Sequence, residues 1–160
     1  MRIKTMLVTV LSVVIMMFSA VCFAQITEED LNIGGIYPGQ PLEEVVVKFG
    51  QPRIVQRPPI GYNFYFKIGD GDVLIQLTTN NKDGIIKAVI VPKNTGMVLP
   101  TGIGAGATEE DIIRVYGEPD DINEHRGRKF LEYHTSDDIN GYLFFTLKDG
   151  VVNDFSVTKR

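Results

Sequence analysis

The residues best suited to metal binding or proton transfer are the two histidines, His125 and His134, which both lie in the C-terminal half of the chain. Asp137 and Asp138 follow His134 closely, and imidazole nitrogens and carboxylate oxygens are ligands that zinc accepts. The two aspartates come directly after a stretch with strand character, where Asp commonly forms a solvated turn. We therefore predict no metal site here.

Two acidic stretches have the residue types of a calcium loop, "GDGDV" (69–73) and "SDDING" (136–141). Neither has the spacing of oxygen ligands that a helix–loop–helix calcium site requires. We interpret both stretches as hairpin turns.

Nucleophilic and phosphate-binding motifs are equally weak. Ser136 and Ser156, the serines beyond residue 24, do not lie in a Gly-x-Ser-x-Gly sequence. The stretch "GIGAG" (102–106) lacks the Lys-Ser/Thr of a phosphate loop, and it aligns with "GIYPG" (35–39), which indicates a structural role. We predict that the protein is not an enzyme and has no cofactor, and keep a hydrolase or metal-dependent enzyme as a third hypothesis.

Residues 1–24 have the order of a secretory signal peptide. A basic start is followed by an apolar run (6–18) and by small residues up to Ala24. Val21 precedes Cys22, and a β-branched residue does not fit a lipoprotein cleavage site. We therefore expect cleavage after Ala24, no lipid anchor at Cys22, and an extracytoplasmic protein, either periplasmic or secreted.

Composition excludes several classes of partner. The chain has a formal net charge of −4, and the predicted signal removes two basic residues and no acid, which leaves −6 for residues 25–160. Nucleic acids and anionic membranes bind clustered Lys and Arg, so neither is an expected partner. Cleavage would also remove the one cysteine, which excludes disulfides and thiolate chemistry.

The chain contains an internal repeat with an offset of 67 residues, in which "GQPLEEVVVKFGQP" (39–52) aligns with "GATEEDIIRVYGEP" (106–119). Apolar residues at helical spacing predict one short helix in each copy. Thr108 is a natural N-cap residue, Pro41 suits the first helical position, and a glycine ends each helix. The repeated motif therefore describes the path of the backbone and carries no chemistry of its own.

After each helix the apolar period changes to two, which predicts antiparallel strands. The predicted strands are 62–68, 73–79 and 85–91 in the first copy and 129–135, 141–147 and 151–158 in the second, with short edge strands near 53–56 and 120–123. Asp-Gly pairs at 83–84 and 149–150 predict tight turns. The sequence predicts an α+β fold, a tandem repeat of a helix plus a three- to four-stranded antiparallel sheet with the helices on one face. We expect repeats at 25–94 and 107–160, joined by a linker at 95–106.

This pattern resembles a known group of small envelope proteins. A Gly-x-x-x-Glu helix that ends in aromatic-Gly-x-Pro, followed by a β-meander with an Asp-Gly turn, is similar to the SmpA/OmlA (BamE) family. Two such units in tandem resemble the β-lactamase-inhibitory-protein architecture. The resemblance covers about residues 33–159 and implies an extracytoplasmic protein whose relatives bind other proteins. The chain departs from both groups, since it lacks the acylated cysteine of the former and the disulfides of the latter.

The second face of the predicted sheet is unusually apolar, although a helix can cover only one face. Exposed aromatic residues among polar ones are typical of a protein-binding patch. We therefore predict a non-catalytic module that binds another envelope or secreted protein through the helix-free face of a broad sheet. The alternative is a carrier of a small apolar or peptide ligand between two lobes. The predicted contact residues are Tyr65, His134, Tyr142 and Phe144.

Overall fold

The computed structural model describes residues 26–68, 74–79, 84–135 and 140–159. A 3-10 helix at Glu28–Leu31 comes first. The α-helices are α1 (Leu42–Phe49) and α2 (Glu109–Tyr116). The strands are β1 (Ile54–Gln56), β2 (Tyr62–Lys67), β3 (Leu74–Thr79), β4 (Ile86–Pro92), β5 (Asp121–His125), β6 (Arg128–His134), β7 (Gly141–Lys148) and β8 (Val151–Lys159).

All of these strands belong to one antiparallel sheet with the spatial order β1-β2-β3-β4-β8-β7-β6-β5. The central pairing joins β4 to β8, with Val89 opposite Val157 and Val91 opposite Phe155. The predicted α+β tandem repeat of helix-plus-sheet units is therefore wrong. The fold is mostly β, a single eight-stranded sheet with two short α-helices in the described ranges. Backbone hydrogen bonds between the two halves of the chain merge what the repeat suggested were separate units.

Local signals place both α-helices where the sequence predicted them. Thr108 caps α2, because its hydroxyl accepts a hydrogen bond from the Asp111 N–H at 3.1 Å while its own N–H donates to the Asp111 carboxylate at 3.0 Å. Each helix ends at a glycine with positive φ, Gly50 at 84° and Gly117 at 82°. Pro41 precedes α1 as its N-cap residue, one position before the predicted place.

The helices pack on one side of the sheet, which we call the core face. Val45 of α1 and Ile112 of α2 are fully buried in the same apolar cluster. Cross-strand register places the buried strand residues of that cluster on this side, because residues directly opposite each other share a face. These residues include Phe66, Ile75, Leu77, Ile86, Val89, Val91, Leu131, Tyr133, Leu143, Phe145, Leu147, Val152, Phe155 and Val157.

Two core tyrosines keep their hydroxyl groups bonded. The Tyr133 hydroxyl donates to the Gly117 carbonyl at 3.0 Å, and the Tyr116 hydroxyl lies 2.6 Å from the Thr101 hydroxyl. Burial raises the pKa of Tyr116 to about 12 and also raises the pKa of Tyr133. Both phenols are therefore protonated at neutral pH and act as structural hydrogen-bonding groups.

The segment 95–106, predicted as a linker, contributes to the core. Leu99 and Ile103 are buried, and the Leu99 N–H donates to the Ile103 carbonyl at 2.8 Å. The Gly106 N–H donates to the Val152 carbonyl at 2.9 Å, and the Gly39 N–H donates to the Ile86 carbonyl at 2.7 Å. The "GIGAG" and "GIYPG" loops therefore both tie to the sheet, which agrees with the structural role predicted for them.

Some predictions fall outside the described residues. They are the signal segment 1–24, the turn at 70–72, Asp83 of the turn at 83–84, and most of the 136–141 stretch, including the aspartates Asp137 and Asp138 that follow His134. The extracytoplasmic location and the repeat boundaries at 25–94 and 107–160 stay predictions.

Candidate functional site

The side of the sheet opposite the helices, which we call the open face, carries all of the predicted contact residues. Two transverse rows of paired residues cross it from β2 to β6, and their side chains are half-buried except for the exposed His134. Glu132 is the one formally charged residue in these rows at neutral pH. The first row is Asn63, Thr78, Ala88, Thr158, Tyr142 and His134, and the second is Tyr65, Gln76, Ile90, Ser156, Phe144 and Glu132.

Three of the predicted residues form an aromatic cluster (His134, Tyr142 and Phe144). The rings of His134 and Tyr142 have centroids 4.8 Å apart and meet edge to face at 68°. The rings of Tyr142 and Phe144 stack at 6.0 Å with an interplanar angle of 14°. Such geometries add favourable quadrupole interactions to the buried area. The cluster is therefore an ordered arrangement of rings that β6 and β7 present together.

Tyr65 lies on the same face but outside this cluster. Its row reaches Phe144 through Gln76, Ile90 and Ser156, so four strand spacings separate the two rings, about 19 Å. The Tyr65 hydroxyl donates to the Gln56 side chain at 3.2 Å. A ligand that contacted both Tyr65 and the cluster would have to extend about 19 Å across the sheet.

The backbone around the aromatic cluster is fixed at both of its strands. The His134 N–H donates to the Asp120 carboxylate at 2.7 Å, and the His134 Nε2 lies 2.9 Å from the Glu132 carboxylate. A side chain at Gly141 would place its Cβ 2.5 Å from Leu31 and 2.7 Å from Thr135. Glycine therefore lets the N-terminal 3-10 helix pack against the start of β7, one residue before Tyr142 of the cluster.

These supporting contacts were missed in the sequence. The contact between Glu132 and His134 could be predicted from the sequence, because residues two positions apart in a strand lie on the same face. The contact between Asp120 and His134 could not be predicted in this way, because it depends on the pairing of β5 with β6. Strict strand alternation would place Ile86 on the face of Ala88 and Ile90, but Ile86 is fully buried on the core face. An irregularity in the β3–β4 register between Thr78 and Thr79 shifts it.

Metal binding finds no geometric support among the residues that the structure describes. No group of three or more His, Cys, Asp or Glu side chains converges there in a way that could hold an ion. His125 lies away from the aromatic cluster, at the end of β5 and opposite Arg128. The described histidines thus do not form a site together.

A groove lies near the junction of the two halves, where the alternative hypothesis places a small ligand. Its volume is about 520 Å³, within the range of small-molecule pockets. The sheet itself is continuous at this junction, because β4 pairs with β8. Among the lining residues are Lys93, Met97, Val98, Gly106, Lys148 and Val151.

In the parts of the chain that the structure describes, no helix combines the length and apolar character needed to cross a membrane. This finding concerns residues 26–68, 74–79, 84–135 and 140–159 alone.

The fold is similar to solved structures of bacterial proteins. A DUF4309 family protein (YjgB) from Bacillus subtilis matches with a TM-score of 0.56 and 12% identity, over 85% of this chain and 88% of that one. A cysteine-rich secretory protein (SAV1118) from Staphylococcus aureus matches with a TM-score of 0.53 and 16% identity, over 79% of this chain and 46% of that one. No protein-family model and no curated protein matches the sequence. At these identities the similarity concerns the fold alone, and the resemblance to SmpA/OmlA proteins stays a prediction.

Proposed function

We propose that this chain is an exported, non-catalytic protein-binding module that contacts another envelope or secreted protein through the open face of its sheet. The observation that carries the proposal is the pair of rows on that face. They place Tyr65, Tyr142, Phe144 and His134 among short polar and apolar side chains with the single carboxylate of Glu132. Interface centres are enriched in aromatic residues and depleted in charged ones.

The dimensions of the open face suit a protein partner. Five strand spacings separate β2 from β6, which corresponds to about 24 Å. A stable protein interface buries roughly 800 Å² on each partner, which is a patch about 28 Å on a side. In the direction across the strands, the rows therefore span most of the width of one interface, with the aromatic cluster toward one side and Tyr65 toward the other.

The proposed location outside the cytoplasm rests on residues 1–24. The resemblance to SmpA/OmlA proteins also supports the proposed function, because it implies relatives that bind other proteins. The partner is proposed to be a protein of the same compartment.

The proposal is tested by retention of a partner on purified residues 25–160. Native protein and a Tyr65→Asp/Phe144→Asp variant are exposed to solubilised envelope and to secreted fractions, and mass spectrometry identifies what each retains. The control variant is Tyr37→Asp/Val47→Asp, which alters exposed apolar residues (37% and 81% exposed) that do not belong to the two rows. Thermal unfolding verifies that every variant is folded.

We expect a protein that the native form and the control retain and that the open-face variant loses. Photocrosslinking from p-benzoylphenylalanine at position 144, with position 37 as control, would then place the contact on the open face. Equal retention by all three forms would contradict the proposal, as would crosslinks from both positions.

The second candidate is a carrier of a small apolar or peptide ligand, favoured by the groove of about 520 Å³ beside Met97, Val98 and Val151. Native mass spectrometry of the protein purified from its own cells tests this function. A bound small molecule that Val151→Trp displaces would support it. An unliganded mass would instead leave the open face as the supported site.

A further inference from the structure

The two edge strands of the sheet, β1 and β5, differ in the apolar and charged side chains that they expose. Within the described part of the chain, β1 pairs only with β2, and β5 pairs only with β6. On β1, Ile54 and Val55 are 46% and 55% exposed. Their partners show that they point to opposite faces, because Ile54 lies opposite Tyr65 and Val55 lies opposite Phe64. This edge therefore exposes apolar side chains on both sides of a strand whose outer backbone groups have no neighbouring strand.

Proteins normally protect such an edge, because it can pair with another strand. The β5 edge carries this protection, since Asp121 and Glu124 lie within the strand and Ile122 is its one apolar residue. The three residues of β1, Ile-Val-Gln, include no charge. Within β1 itself the one such device is its short length of three residues, so its apolar side chains and outer backbone groups stay open to pairing.

The positive charges around β1 indicate that a strand with acidic side chains would pair with it. Residues 51–68 contain Arg53, Arg57 and Lys67 and no acidic residue, although the whole chain has a net charge of −4. The Arg57 guanidinium lies over the Tyr62 ring at 5.6 Å, which holds it beside the edge. The Arg53 N–H donates to the Tyr65 carbonyl at 2.8 Å, which fixes its backbone at the start of β1. Two arginines therefore flank the exposed strand.

A groove of about 610 Å³ adjoins this edge where α1 leads into β1. Arg53 and Lys67 contribute its cations, and no acidic residue lines it. Phe49 supplies an aromatic wall, and Gly50, Gln51 and Pro52 complete the lining. The groove therefore has the charge to accept a carboxylate side chain from a strand laid along β1.

We infer that β1 is a docking site for an extended acidic peptide segment of a partner protein, which would add a ninth strand to the eight-stranded sheet. Main-chain hydrogen bonds would provide the pairing, Ile54 and Val55 would contact alternate apolar side chains, and Arg53 would bind an Asp or Glu. An antiparallel pair of β1 strands from two copies, centred on Val55, would instead place Arg53 opposite Arg57. This repulsion disfavours a second copy in that register.

The test uses a library of random decapeptides displayed on phage, selected against residues 25–160 at low salt. We expect enrichment of Asp or Glu next to β-branched residues. The most enriched peptide, made synthetically, is then titrated calorimetrically against variants. We expect about tenfold weaker binding to Arg53→Glu and to Ile54→Lys/Val55→Lys, and weaker binding by native protein at high salt.

Two controls make the result specific. Ile122→Lys alters an equally exposed isoleucine (46%) on the β5 edge and should bind the peptide as the native protein does. Tyr142→Asp/Phe144→Asp alters the open face on β7, which lies five strand positions from β1, so retained peptide binding in this variant would separate this site from the proposed function. Amide exchange should slow at residues 54–56 when the peptide binds.

The inference would be overturned by any of three results. They are no enrichment above background, enriched peptides without acidic residues, or binding that Arg53→Glu does not change. Sedimentation velocity adds one more outcome. Self-association of the native protein that Arg53→Glu abolishes would assign this edge to a second copy, through the acidic β5 edge, and would contradict the peptide site.

Discussion

Phe144 and Phe145 are neighbours on β7, yet they belong to two different surfaces. Phe145 is fully buried on the core face and lies within 6.3 Å of the rings of Tyr116, Tyr133 and Phe155. Phe144 is half-buried on the open face and stacks on Tyr142. The two faces carry similar aromatic side chains, and the difference is that helices pack on only one of them.

This comparison shows why aromatic content alone does not identify a core. Rings on the core face meet the apolar stripes of α1 and α2, which hold Val45 and Ile112 at no exposure. Rings on the open face meet one another and short polar side chains. Burial makes the first set a source of stability, whereas the second set contributes less to stability and is available to a partner.

The largest expected difference between the faces comes from truncating adjacent rings. Phe145→Ala removes a fully buried ring and should lower the free energy of unfolding by about 3–5 kcal/mol. Phe144→Ala removes a half-buried ring and should cost about 1 kcal/mol or less. Urea unfolding followed by circular dichroism measures both. Equal losses would show that the open face is covered as closely as the core and would break the comparison.

A smaller difference is expected for tyrosine hydroxyl groups. Tyr133→Phe leaves the buried Gly117 carbonyl without its hydroxyl donor and should cost about 1–2 kcal/mol. Tyr65→Phe removes an exposed bond to Gln56 and should change stability by about 0.5 kcal/mol or less. Thermal unfolding at neutral pH measures the two changes. A larger cost for Tyr65→Phe would contradict the assignment of faces.

The smallest effect concerns the cap of α2, which covers the core face. Hydrogen bonds from the Thr108 backbone and hydroxyl, with Arg114 nearby, lower the pKa of Asp111. A lowered pKa contributes stability above the unfolded-state value, near pH about 4, and this contribution is lost as pH falls through the folded value. Asp111→Asn should therefore be less stable than native protein at neutral pH, and the gap should close in acid.

Thr108→Ala tests the cause of this pH dependence, because it removes the hydroxyl that bonds Asp111. Unfolding from pH 7 to pH 2 should show a smaller effect of Asp111→Asn in the Thr108→Ala background than in native protein. An unchanged gap would assign the pH dependence to groups outside the cap.

The sequence was informative about local structure for physical reasons that involve only neighbouring residues. Helical spacing of Ile112 and Tyr116, with the cap at Thr108, placed α2 at Glu109–Tyr116. Strand alternation around Tyr142 and Phe144 placed both on one face and Leu143 and Phe145 on the other. The turn after β7 was also predicted, and Asp149 and Gly150 take positive φ values of 54° and 80° there.

Architecture depended on contacts between distant residues, and there the prediction failed. The repeat suggested two helix-plus-sheet units, but the edges β4 and β8 satisfied their backbone groups by pairing with each other. The buried position of Ile86 likewise depended on an irregular register with β3. Neither pairing leaves a signal in the apolar period of a single strand.

By itself, then, the sequence determined which segments are helices, strands and turns, because hydrogen bonding and side-chain periodicity within a few residues decide these. It also determined that both faces of the strands at β7 would be apolar. Only the tertiary structure decided that the strands form one sheet and which face of that sheet the helices cover. Those outcomes depend on how far-separated segments pack, and a linear pattern with two apolar faces is compatible with either side as the core.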